Sequence, residues 1–331
     1  MAEPDPRIPV NVLTGFLGSG KTTVLRHVLQ DPAFADAAVL INEFGAVGLD
    51  HLLVGALDDA PVLMPGGCIC CGIRGDLARA LRDLYAGRRR GELPPFRRVI
   101  VETTGLADPA PILATIAADL AVRRTFRPGV TVTTCDAVNA LAGLDRYPEM
   151  PRQVAVADRL VVTKPDLAAA GQLAALRERL ARLNPAAPVV TALHGVIDPG
   201  SLLGQDIADP ETRMTEAGAW LDLSARTATP HGAIRAFTLA HETPVEWNAF
   251  GLWFSLLVHR HGARLLRVKG ILDVAGSATP VAVHAVQHLV HAPEHLLAWP
   301  TAGRGSRLVL IAEGLDEAAV RRSFAAFAQL G

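Results

Sequence analysis

The chain has 331 residues, half of them hydrophobic, and a formal net charge of -1. That is enough for a substantial core and two domains, and too evenly charged to draw nucleic acid or an anionic membrane. No apolar run reaches the roughly 18 residues that a membrane span needs, and the opening MAEPDPRIPV lacks the basic and apolar regions of a secretory leader. A cytoplasmic setting is therefore expected, where thiols stay reduced. The basic run Arg88, Arg89, Arg90, Arg97 and Arg98 reads as a solvated loop.

In chain order, IPVNVLT (8–14), AAVLIN (37–42), RVIVET (98–103), VTVTT (130–134), RLVVT (159–163) and PVVT (188–191) read as buried strands of a mostly parallel sheet. Helical patterns lie between them in TTVLRHVLQ, GDLARALRDLY and LAAAGQLAALRERLARL, so residues 1–205 are expected to form a doubly wound α/β domain. The pattern dissolves over 206–230, which reads as a linker. Residues 231–331 then predict a smaller α+β domain, with a long helix in PVEWNAFGLWFSLLVHRHG, strands near LLRVKGILDVAG and RLVLIAE, and a last helix DEAAVRRSFAAFAQL.

Only three lysines, Lys21, Lys164 and Lys269, stand against 29 arginines. A lysine in such a chain marks a place where a compact, flexible ammonium is wanted. Lys21 lies in GFLGSGKT, Gly15 to Thr22, which follows a predicted strand and opens a predicted helix, the setting of a phosphate-binding loop. The N–H groups around Gly15, Gly18, Ser19 and Gly20, with those of Thr22 and Thr23 at the helix start, would cradle phosphate oxygens. Lys21 would reach the β- and γ-phosphates, and the Thr22 hydroxyl would bind magnesium.

Lys164 lies in TKPD, Thr163 to Asp166. A carboxylate there can accept both N1–H and N2–H₂ of guanine, whereas adenine has no donor at N1, which argues for GTP over ATP. Between these segments, Glu102 in ETTGLADP is placed to hold magnesium through water, and the Gly105 amide to sense the γ-phosphate. NEFG, Asn42 to Gly45, closely followed by Asp50, occupies the position of a second switch segment.

Three of the four cysteines fall in CICC, at Cys68, Cys70 and Cys71, between Pro65-Gly66-Gly67 and Gly72. A glycine-rich loop can gather the sulfurs, and three thiolates plus one further ligand describe a tetrahedral site for zinc or a similar ion. A redox thiol cluster and thiols that merely pack are the alternatives. Cys135, on a predicted strand, reads as a small core residue.

GFLGSGKTT, INEFGAVGLD, GGCICCGIRGDL, VETTGLADPAP and VTKPD together resemble the CobW-like GTPases, P-loop metallochaperones, in order and spacing. The likeness continues through ARLNPAAPVVTALHG, LLRVKG and GRGSRLVLIAEGLD. The resemblance implies slow GTP hydrolysis and metal binding at Cys68, Cys70 and Cys71. It also implies a nucleotide-dependent homodimer and delivery of zinc, cobalt or iron to the apoprotein of a client metalloenzyme. Lys269 falls in a shared C-terminal motif and has no chemical role assigned. The chain departs from the family at Ala46 and Ile41, where relatives carry Glu, which leaves CICC as the principal metal site. His284, His288, His291 and His295 are spaced to line one face of a helix; the family resemblance makes their first part a strand, on which His284 and His288 would share a face.

In this reading Lys21 and the loop amides stabilise charge on the transferring phosphoryl, Thr22 and Glu102 hold magnesium, and Gly105 senses the γ-phosphate. No residue stands out to orient the attacking water, which fits a slow rate. The contrasting reading is a P-loop kinase, or a regulatory GTPase, with a structural zinc-cysteine loop.

Overall fold

The computed structural model describes residues 5–41, 62–63, 73–204, 214, 218, 233–300 and 303–329. Asn42 to Gly45, Ala46, Asp50, Cys68, Cys70, Cys71 and nearly all of 206–230 lie outside the described residues. The chain folds as two compact units, one comprising Met1–Glu178 and Pro188–Asp206, the other Arg179–Ala187 and Ile207–Gly331.

The first unit is built on β1 (Ile8–Gly15), β2 (Ala37–Ile41), β3 (Val62–Leu63), β4 (Arg98–Glu102), β5 (Phe126–Asp136), β6 (Arg159–Thr163) and β7 (Val189–Ala192). They form one sheet in the order β3-β2-β4-β1-β5-β6-β7, with every neighbouring pair parallel. The helices are α1 (Lys21–Gln30), α2 (Ile73–Arg90), α3 (Ala110–Ala118), α4 (Ala140–Arg146), α5 (Glu149–Val156) and α6 (Gln172–Leu183), the last counted in the second unit from Arg179 on. Val10, Val12, Val99, Ile100, Val132 and Leu160 are buried at 0 % exposure. This is why the strands read as continuous apolar runs: a parallel sheet covered on both faces has no wet side on which to alternate.

β5 begins four residues earlier than its sequence pattern predicts, at Phe126 rather than residue 130. Pro128 and Gly129 argue against a strand there, because proline has no N–H for the ladder and glycine no side chain to pack. The register of β1 against β5 slips between Val10 and Val12, and the buried Asn11 Oδ1 accepts the Val130 N–H at 2.9 Å. A side chain from the next strand thus makes up for the broken ladder.

The arginine run is not one solvated loop: of the five, Arg97 alone lies in the loop before β4, its side chain 86 % exposed. Arg88, Arg89 and Arg90 close the last turn of α2, where cations face the negative end of the helix dipole. Arg98 opens β4, bonds Asp36 at 3.1 Å and lies with its guanidinium 4.5 Å from the Phe34 ring centroid.

The second unit contains β8 (Ile234–His241), α7 (Trp247–His261), β9 (Leu265–Leu272), β10 (Val281–Val286), β11 (Leu289–Val290), β12 (Glu294–His295), β13 (Ser306–Glu313) and α8 (Glu317–Ala328). Its antiparallel sheet runs β11-β10-β9-β13-β8, with β12 paired to β10. Phe250, Trp253 and Phe254 of α7 and Phe324 of α8 pack on Phe237, Leu239, Val268, Leu308 and Leu310 of the sheet. Both helices start on carboxylate caps: Glu246 accepts from Ala249 N at 2.7 Å and Asp316 from Ala319 N at 3.1 Å. Lys269 is 1 % exposed in the middle of β9, opposite His284 on β10 and Val309 on β13. Among the described residues no helix is long and apolar enough to cross a membrane.

Candidate functional site

The site lies at the C-terminal ends of β1, β4, β5 and β6, where ligands bind in open parallel sheets. β1 ends at Gly15 and α1 begins at Lys21, so the turn between them, residues 16–20, aims its N–H groups and the positive end of α1 at one place. Gly15 must be glycine: its φ is +142°, and a Cβ there would stand 2.2 Å from Thr134 Oγ1. The Ser19 and Thr134 hydroxyls pair at 2.6 Å beneath the loop. The Lys21 ammonium folds back on the loop, donating to the Gly15 carbonyl at 2.9 Å and the Phe16 carbonyl at 3.0 Å. The Thr22 hydroxyl donates to Glu102 Oε1 at 2.6 Å, joining the start of α1 to the end of β4 across 80 residues of sequence. Glu102 is 4 % exposed, whereas Thr23, one residue on, is exposed.

After β4 the chain passes directly over the phosphate loop. A Cβ on Gly105 would sit 2.5 Å from Leu17 N and 2.7 Å from Leu17 Cα, so only glycine permits this approach. Thr103 Oγ1 donates to Thr14 Oγ1 at 2.8 Å, fastening β4 to β1 just below.

The TKPD turn joins the same site from β6. Thr163 Oγ1 donates to the Ser19 carbonyl at 2.7 Å. Lys164, with φ at 52° in the left-handed region, donates to the Gly18 carbonyl at 2.8 Å and to Asp136 Oδ2 at 2.6 Å. Asp166 follows in the short turn Pro165–Leu167, its carboxylate 4.0 Å from His194 Nε2. Lys21, Thr22, Glu102, Gly105, Thr163 and Lys164 are thus brought into one constellation from three strand ends, those of β1, β4 and β6, with Asp166 at its side.

Two residues of this constellation escape the sequence reading. Asp136, at the end of β5, accepts from Lys164, from the N–H groups of Val138 and Asn139, and from the Asn139 amide. Burial works against its ionisation, but the Lys164 and Val138 hydrogen bonds and the lysine's charge outweigh it, so the carboxyl sits below the usual carboxylate range. The signal was an acid at the C-terminal end of an apolar strand. Gln153 in α5 is the other, and nothing local in the sequence marks it. Cys135, next to Asp136 on β5, is buried as expected; burial first, then the Asp136 charge, pushes its thiol up to about 12, which leaves it protonated and unreactive.

The C-terminal histidines do not line one face. β10 stops at Val286, Gln287 turns the chain with φ at 50°, and His288 falls in that turn rather than on the strand with His284. His284 instead meets His291, ring centroids 6.4 Å apart, while His295 lies on β12 opposite Val281. Among the described residues no group of three or more His, Cys, Asp or Glu is placed to hold a metal ion.

Residues 9–191 match the CobW/HypB/UreG nucleotide-binding domain, and residues 234–328 match the cobalamin synthesis protein cobW C-terminal domain. The chain belongs to the CobW/HypB/UreG family. It is 34% identical over 319 residues to the zinc chaperone YjiA of Escherichia coli, covering 96% of this chain and 98% of that protein. It is 29% identical to the zinc chaperone CobW of Pseudomonas aeruginosa, over 95% of this chain and 90% of that one. The crystal structure of the Zn(II)-bound YjiA GTPase from E. coli superposes with a TM-score of 0.72 at 28% identity, covering 97% of this chain and 99% of that chain. This CobW-family chain therefore shares both domains of those relatives.

Proposed function

We propose that this protein is a GTPase that carries a metal ion, zinc foremost, and couples its nucleotide state to delivery of that ion to a client metalloenzyme. The observation that carries the nucleotide half is the 2.6 Å bond between Thr22 and Glu102, which sets a hydroxyl and a buried carboxylate side by side at the mouth of a phosphate loop. Two hard oxygens in that place suit magnesium, which prefers a few protein oxygens together with phosphates and water. When bound, the ion supplies neutralisation of charge between the β- and γ-phosphates.

The protein's own residues do the rest. Lys21 exchanges the Gly15 and Phe16 carbonyls for phosphate oxygens, and the N–H groups of Gly18, Ser19, Gly20, Thr22 and Thr23 hold the charge that builds on the transferring phosphoryl. Gly105, already against the loop, presents its amide to the γ-phosphate. Asp166 accepts from the guanine edge, and Lys164 fixes the turn that aims it by bonding Asp136 and Gly18. Thr163 does the same for Ser19.

Cys68, Cys70 and Cys71 are the proposed ligands of the cargo, with zinc or cobalt as the ions three thiolates accept. The relatives named as zinc chaperones support zinc, and the position of CICC between the NEFG and ETTG segments supports coupling to nucleotide. A client apoprotein, a second copy of the chain in one nucleotide state, and a cytoplasmic setting complete the proposal. Calorimetric titration of zinc into the protein loaded with GDP, and separately with a non-hydrolysable GTP analogue, tests it. The two affinities should differ; identical retention in both states would remove the carrier role and leave a GTPase with a structural thiol cluster.

A further inference from the structure

The segment from α4 to α5 touches the nucleotide site twice. At the corner between the helices the Tyr147 ring stacks on Phe16 of the phosphate loop, centroids 4.6 Å apart. One turn and a half further on, the Gln153 side chain, 1 % exposed, donates to the Gly105 carbonyl at 3.1 Å and to the Ala107 carbonyl at 3.0 Å. These bonds cross 48 and 46 residues of sequence. The Gln153 backbone carbonyl in turn accepts Thr133 Oγ1 at 2.8 Å, so the residue is held from beneath by β5. The two helices themselves are locked together: a Cβ at Gly143 would meet Met150 Sδ at 2.5 Å.

A primary amide carries two N–H donors, and two carbonyls of the loop receive them. No other side chain of that length offers two donors without a charge. Leucine offers none, glutamate none when ionised, and asparagine is a methylene short. A buried carbonyl that loses its donor keeps its full desolvation cost, so the loop between Gly105 and Ala107 would seek another conformation. We propose that Gln153 is the positioning residue that holds the Gly105–Ala107 loop over the phosphate loop, and that α5 moves with this loop when the γ-phosphate arrives or leaves. The inference rests on the GTPase reading above and adds the element that registers the nucleotide state.

The variants Gln153→Leu and Gln153→Glu test it, with affinities for fluorescent GDP and for a non-hydrolysable GTP analogue measured beside single-turnover hydrolysis. GDP affinity is expected to stay within about twofold, while analogue binding and hydrolysis fall about tenfold, the loss of one to two buried hydrogen bonds. Relative to the wild type, Gln153→Glu should regain part of the difference as pH falls, because a protonated carboxyl donates one O–H. Equal losses for both nucleotides, or no loss, overturn the positioning role while wild-type turnover leaves the GTPase reading standing. A wild-type chain that hydrolyses no GTP sinks that reading and this inference with it. If neither variant folds, hydrogen exchange on the wild type decides. Residues 103–108 and 149–156 should change protection together between GDP and the analogue, and a change in the loop with none in α5 refutes the coupling.

Discussion

The Thr163 hydroxyl, at the end of β6, donates to the backbone carbonyl of Ser19 in the phosphate loop at 2.7 Å, across 144 residues of sequence. The turn that carries Lys164 and Asp166 is therefore fastened to the loop that carries Lys21. Replacing Thr163 with valine keeps the shape and leaves the buried Ser19 carbonyl without that donor, a cost of about 1–3 kcal/mol. GDP and GTP affinity should fall together by about tenfold, with a lower denaturation midpoint. Fluorescence titration and urea unfolding would check both.

Gly105→Ala places a Cβ 2.5 Å from Leu17 N, so either the phosphate loop or the chain crossing it must move. GTP hydrolysis is expected to fall at least tenfold with overall melting little changed, because the strain is local to two loops. Steady-state phosphate release beside a thermal melt measures this. Wild-type turnover in the variant would show that the approach plays no part in hydrolysis.

Asp166→Asn turns an acceptor of two N–H groups into a mixed donor and acceptor. Charge-assisted hydrogen bonds are worth about 1.5–3 kcal/mol, so GTP should weaken about 10- to 100-fold while xanthosine triphosphate gains. Competition between the two nucleotides reads the ratio directly, and an unchanged ratio means that Asp166 does not meet the base.

Replacing Cys68, Cys70 and Cys71 with serine should abolish tight zinc and cobalt binding and leave nucleotide affinity within about threefold, since thiolates are the soft donors that select these ions. A triple variant that still holds one metal ion per chain with the original affinity places the ligands elsewhere.

The Asp136 carboxyl ionises below the ordinary 3.8 despite its burial, held there by Lys164 and Val138. A depressed folded-state value means the unfolded chain binds more protons in that window, so stability rises with pH through it. The contribution is fully present above the ordinary value and is lost as pH falls through the lower folded one. Asp136→Asn should therefore be less stable than the wild type at neutral pH, and the difference between the two should close as pH falls through the lowered folded-state value of Asp136. A gap that persists into acid would assign the loss to packing.

Particular elements show where the sequence reading succeeds and where it stops. β6 runs from Arg159 to Thr163 as its apolar run indicates. α3 is buried at Ile112, Leu113 and Ile116, but its outer side carries Pro111, Ala114, Ala117 and Ala118 rather than polar residues, so no helical period shows in the sequence and it passes unnoticed. α4 and α5 are too short for a period to declare itself. The four histidines recur at helical spacing in sequence, but the turn at Gln287 takes His288 off the strand that holds His284, and His295 lies on β12.

What the sequence determined unaided is what contiguous residues fix among themselves: the phosphate loop between β1 and α1, the apolar strands of a covered parallel sheet, the cysteine cluster and the family these segments mark. Tertiary structure alone decided that the Thr22 hydroxyl bonds Glu102 directly, that Asp136 anchors Lys164, that Gln153 holds the carbonyls of Gly105 and Ala107, and that Asn11 accepts the Val130 N–H where the ladder slips. The reason is physical. A loop's shape follows from its own dihedral freedom, whereas a buried side-chain hydrogen bond depends on which strand ends the sheet order brings together, and no local pattern encodes that order.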